Sequence, residues 1–151
     1  MNSWQVALAL TSPVVAILIA AWSRRQVGRS EQLKLLFALQ QEFTDPETRS
    51  GRRLLHQLAT QTAVVDYDTL DQDSRDLLAN TMAQLNTIAL CVRCGMVKPR
   101  LVQDAFGQAY LAAMRAATNF IDWASRRRGF AAYPYASALA AEFSRNARES
   151  L

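Results

Sequence analysis

Leu77 to Gly95 reads LLANTMAQLNTIALCVRCG, and the spacing of its apolar residues decides the fold class. Leu77, Leu78, Met82, Leu85, Ala89 and Val92 recur at intervals of three and four, which places them on one face of a helix. Gly95 then stands where a helix commonly ends on a left-handed residue. Asp68, with Asp71 three residues on, supplies a capping-box-like start for the same helix, after a loop at 62–69.

Working outward, Pro99 opens a further helix that carries Val102, Phe106, Ala109, Ala113, Ala117, Phe120 and Ala124. Arg126, Arg127 and Arg128 occupy its last turn, where cations complement the helix dipole, and Gly129 stops it. Pro134 opens a short final helix with Leu139 and Phe143. Toward the N-terminus, Asp45-Pro46 reads as N-cap and first helical residue of a segment whose apolar stripe is Leu54, Leu55 and Leu58. Before it, Leu33, Leu36, Phe37, Leu39 and Phe43 form another amphipathic segment. No alternating strand pattern appears, and the short connections predict antiparallel neighbours.

The N-terminus differs from all of this. No charged side chain occurs from Met1 to Ser23. Trp4 to Trp22, WQVALALTSPVVAILIAAW, is 19 residues, or about 28 Å as a helix, against a hydrocarbon core of about 30 Å. Trp4 and Trp22 mark its ends, where aromatic belts sit, and Arg24, Arg25 and Arg29 follow as a basic collar suited to lipid headgroups. A cleaved signal peptide would carry its charges before the apolar core, not after it. Pro13 kinks the span, and Ser12, Ala16 and Ala20 present small residues at a spacing that lets another helix approach. The expected architecture is all-α: a single transmembrane helix with its collar at 1–29, then a cytoplasmic bundle of four to five helices at 30–151. The arginines predict an N-terminus outside and a domain inside the bacterial cytoplasmic membrane.

Composition removes several classes. Half of the 151 residues are hydrophobic, which excludes a disordered chain. Two cysteines exclude a disulfide framework. Five glycines and four prolines exclude collagen-like and linker chains. The net charge of +4 is unevenly spread: residues 66–80 hold five aspartates against Arg75, and residues 81–129 hold seven cations against two acids. Of the 17 cations, only Lys34 and Lys98 are lysines.

The run LNTIALCVRCGMVKPRLVQDAFGQAYLAAMRAATNFIDWASRRRG (Leu85–Gly129), followed by YPYASALAAEF, resembles a family of uncharacterised bacterial proteins known only as a domain of unknown function. The resemblance rests on Leu85-Asn86, on Val92, Arg93 and Gly95, on Phe106-Gly107, and on an aromatic before an arginine-rich helix end. It covers the C-terminal 70 or so residues and the anchor layout. Met96-Val97-Lys98-Pro99 stands where the family often has acidic residues. The resemblance implies a membrane-attached helical domain and brings no catalytic residues with it.

Candidate chemistry is sparse. Cys91 and Cys94 form a CxxC at a helix C-terminus, whereas redox pairs use the N-terminus, where the dipole stabilises a thiolate. With His56 they fall short of the four ligands of a structural zinc site. A pair of small residues in a reducing compartment is the simpler reading, with a metal or redox role as the alternative. Asp66, Asp68, Asp71, Asp73 and Asp76 fail the EF-hand pattern, since position six is Asp71 and not glycine. They read as a turn and a charged helix start, or as a surface for a basic partner. Arg126, Arg127 and Arg128, with Trp123, Tyr133 and Tyr135, form a corner suited to a partner protein. No phosphate loop, catalytic triad, nucleic-acid motif, cofactor site or small-molecule substrate site is recognisable. The sequence therefore predicts a non-enzymatic, single-span accessory subunit whose partners are membrane lipids and other membrane subunits or copies of itself. Docking on anionic lipid is the alternative.

Overall fold

A computed structural model describes residues 28, 30–61 and 65–149, without the side chain of residue 149. The anchor residues Trp4, Pro13 and Trp22, the small-residue face Ser12, Ala16 and Ala20, and the collar Arg24, Arg25 and Arg29 lie outside the described residues. Among the described residues, no helix is long and apolar enough to cross a membrane. The chain divides into two compact units, Met1–Lys34 and Leu35–Leu151, and the fold below is that of the second.

Every regular element among the described residues is helical. In chain order they are α1 (residues 35–44, the part of a helical stretch that lies in this unit), α2 (Pro46–Ala59), α3 (Gln72–Arg93), α4 (Pro99–Ala116), α5 (Thr118–Arg128) and α6 (Pro134–Glu149). The expected four to five helices are thus six.

Local chemistry explains most boundaries. Asp45 caps α2 by accepting from the Glu47 N–H at 3.0 Å, and Pro46 takes the first helical position. The cap of α3 is Asp71, not Asp68: its carboxylate accepts from the Ser74 N–H at 2.7 Å and the Ser74 hydroxyl at 2.8 Å. Those two bonds hold the Asp71 carboxyl below its ordinary range. At the other end of α3, Gly95 (φ 72°) lets its own N–H reach the Val92 carbonyl and the Met96 N–H reach the Cys91 carbonyl. These paired bonds satisfy carbonyls that the helix end leaves free. Gly129 ends α5 in the same left-handed conformation.

The single helix expected from Pro99 to Arg128 is two, separated at Ala117. No glycine or proline marks the break. The Thr118 hydroxyl instead donates to the Arg115 carbonyl at 3.0 Å, competing with the helical ladder there. A second irregularity at Phe106 (φ −153°, ψ 20°) kinks α4 just before Gly107. It rotates the buried stripe, so Ala109 is exposed while Tyr110 is fully buried. In α1 the buried face is Leu36, Leu39 and Phe43; Phe37, expected beside them, is exposed, as is Leu33, which precedes α1.

The core runs through all six helices, from Leu39 and Phe43 through Leu55, Leu78, Met82, Leu85 and Tyr110 to Phe120 and Phe143. Contacts between helices distant in sequence set its geometry. Gly51 of α2 faces Thr81 of α3 so closely that a Cβ there would lie 1.9 Å from Thr81 Oγ1. Thr48, one turn earlier, is buried and donates to Gln84 Oε1. Asn86, in the middle of α3, accepts from the Ala136 N–H of α6 at 3.1 Å. It supplies from a distant helix a side-chain acceptor for one of the free N–H groups in the first turn of α6. Tyr110 fastens the same region by donating toward the Leu85 carbonyl (3.1 Å) and the Ala136 carbonyl (3.4 Å).

Candidate functional site: an aromatic and arginine groove

Two helix faces and one loop residue enclose a groove of about 500 Å3. Gln72, Arg75, Asp76 and Ala79 come from α3, at the spacing of one helical face. Phe120, Trp123, Ala124, Arg127 and Arg128 come from α5 at the same spacing, and Tyr133 completes the wall. The volume falls within the range of about 300–1,000 Å3 usual for ligand sites.

The apolar floor is preorganised. Tyr67, from the loop before α3, meets Phe120 edge-on with centroids 5.4 Å apart and lies 5.7 Å from Trp123. Phe120 and Trp123 stack at 5.4 Å. Burial of Tyr67 pushes its phenol pKa upward.

Asp68, outside the lining itself, ties together three residues that line the groove. Its carboxylate accepts from Trp123 Nε1–H at 3.2 Å and pairs with the Arg127 guanidinium. Its carbonyl accepts from Arg75 at 3.2 Å. Arg75 also donates to Gln72 Oε1 at 3.0 Å, and the Gln72 amide donates to Asp76 at 2.8 Å. Part of the acidic patch therefore faces basic groups of this same chain. Arg127 lies over Trp123 and Arg128 over Tyr133, at 5.6 and 5.3 Å from the ring centroids. Burial raises the Tyr133 pKa, and the Arg128 charge opposes the rise. Tyr133 carries φ 53°, a conformation that costs an L-residue on the order of 1 kcal/mol.

Of the corner read from sequence, Trp123, Arg127, Arg128 and Tyr133 meet in this groove. Arg126 is exposed outside its lining, and Tyr135 is engaged elsewhere, 5.2 Å beneath Arg93. Asp68, which binds three of the lining residues, is the one that sequence reasoning placed in another role, as a helix cap. Its signal lay in the charge contrast between residues 66–80 and the arginine run, but the spacing of 59 residues hid the pairing.

The remaining candidates are apart. Cys91 is half-buried and Cys94 exposed at the C-terminal end of α3, both as free thiols. Burial pushes the Cys91 thiol up, and Cys94 and Glu42 push it further, opposite to the activation of a redox thiol. His56 is exposed in the last turn of α2. Among the described residues, no three His, Cys, Asp or Glu side chains gather as a metal site.

Fold and groove together define a class: a small helical domain with a preformed aromatic–basic recess and a cap network around Asn86. Residues 7–143 match the family described as "Domain of unknown function (DUF4760)", and the chain belongs to it. The match reaches well beyond the C-terminal residues that carried the resemblance, into the uncharged N-terminal run. No curated protein and no solved structure matches the chain.

Proposed function

We propose that this chain is a non-enzymatic, membrane-attached accessory subunit whose helical domain binds partner subunits on the cytoplasmic side. The observation that carries the reading is the partition of the sequence. Its first 23 residues hold no charged side chain, Arg24, Arg25 and Arg29 follow, and the compact helical unit comes after them. Such a run is long enough to span a bilayer, and the arginines orient it. The aromatic–arginine groove supports the second half of the reading, because Trp, Tyr and Arg are the residues over-represented where proteins bind one another.

The test begins with alkaline carbonate extraction of native membranes, which should leave the chain in the pellet. Mild detergent purification should then recover a stoichiometric partner or a homo-oligomer. Release of the chain by carbonate, or recovery as a lone monomer after crosslinking in intact membranes, would reject the proposal.

A further inference from the structure

We infer that the groove between α3 and α5 is the docking site for a partner-protein segment carrying an acidic side chain next to an aromatic or large aliphatic one. The inference rests on the accessory-subunit reading and names the surface and chemistry that reading leaves open.

Charge gives the first argument. Among the described residues one ion pair forms, between Arg127 and Asp68. Among the described residues neither Arg75 nor Arg128, on opposite walls, forms a salt bridge, although the Arg75 charge helps to hold the Asp71 carboxyl down. Arg75 is held by a carbonyl and an amide oxygen, and Arg128 lies over the Tyr133 ring. Both guanidinium groups are therefore positioned without a salt bridge among the described residues, and a carboxylate between them would make charge-assisted hydrogen bonds. A second argument is the floor. Half-buried Trp123 is already stacked on the buried Phe120 and braced by Tyr67, so an apolar side chain laid on Trp123 orders nothing new. The left-handed Tyr133 in the wall is a third, since backbone strain of this kind collects at binding sites. A recess between two helix faces admits a narrow chain more readily than a flat bilayer.

The experiment uses the full chain in neutral phosphatidylcholine nanodiscs and reads fluorescence anisotropy of a labelled hexapeptide that alternates glutamate with phenylalanine and leucine. The control peptide has lysine in place of glutamate. The glutamate peptide should bind roughly ten-fold more tightly than the control, and Arg75→Gln and Arg128→Gln should each weaken it by a similar factor. Arg126→Gln, outside the groove, should leave binding unchanged. Arg126 and Arg128 are exposed and Arg75 is half-buried, and unchanged melting curves verify the fold. Equal binding of both peptides, or equal effects of Arg126→Gln and Arg128→Gln, overturns the inference. Displacement of the peptide by phosphatidylglycerol vesicles, with the same Arg75 and Arg128 dependence, assigns the groove to lipid and also overturns it. A native partner that still co-purifies with the Arg75→Gln/Arg128→Gln chain rejects the groove but keeps the accessory-subunit reading. A chain that is always recovered alone yet binds the glutamate peptide does the reverse.

Discussion

Replacing Gly51 by alanine tests the contact that sets the α2–α3 crossing. Alanine is the better helix former by about 1 kcal/mol, so propensity alone predicts a more stable protein. The structure predicts the opposite. The added Cβ would lie 1.9 Å from Thr81 Oγ1, 3.0 Å from Thr81 Cβ and 3.1 Å from the Leu77 carbonyl oxygen. Relief requires the helices to part by about an ångström or Thr81 to rotate. Rotation breaks the bond its hydroxyl donates to the Leu77 carbonyl at 2.8 Å, and separation strains the buried Thr48–Gln84 bond a turn away. Overpacking of this kind costs about 1–3 kcal/mol. After the propensity gain, a net loss of up to about 2 kcal/mol remains, or up to roughly 8 °C in Tm for a chain of this length. Thermal and urea unfolding of Gly51→Ala, Thr81→Ala and the double variant measure it. Because Thr81→Ala removes the oxygen that makes the worst contact, Gly51→Ala should cost about 1 kcal/mol less in that background. A Tm increase for Gly51→Ala, or an identical cost in both backgrounds, refutes the close-approach argument.

Three further outcomes are expected. Asn86→Ala removes the cap of α6 and should destabilise the protein by about 1 kcal/mol, with faster hydrogen exchange at the Ala136 amide as its local signature. Tyr110 is fully buried, and its phenol pKa is pushed well above the ordinary value of 10. The fold favours the neutral phenol, so this contribution is present below pH 10 and lost as pH rises above it; absorbance titration should show Tyr110 ionising only with alkaline unfolding. Asp71 has the opposite sign. Its pKa is lowered from 3.8, so its stabilisation is present above that pH and lost as pH falls through the lower folded value. Asp71→Asn should flatten the acid limb of a Tm-versus-pH curve.

Much of the helix punctuation was legible because its chemistry is local. Asp45-Pro46, Gly95 and Gly129 act within one turn of their own positions, and each ends or starts a helix where its side chain or backbone requires. Asp71 shows the limit of such reading: two aspartates three residues apart both fit a cap, and only the hydrogen bonds to Ser74 choose between them. The break at Ala117 was hidden because its cause is a threonine hydroxyl, a weaker and more conditional signal than glycine or proline. The arginine-rich corner was legible as composition, since Trp123 and Arg127–Arg128 fall on one face of a helix by spacing alone.

By itself the sequence determined an all-helical domain, the apolar stripes, most of the caps and the uneven distribution of charge. These follow from periodicity and from interactions within four residues. Tertiary structure decided which charges meet and which polar groups are spent internally. Asp68, in the turn before α3, reaches Trp123 and Arg127, Asn86 caps a helix 50 residues away, and Gly51 is needed because Thr81 lies against it. Each depends on the approach of two helices distant in sequence, and the pattern of either helix alone does not specify that approach.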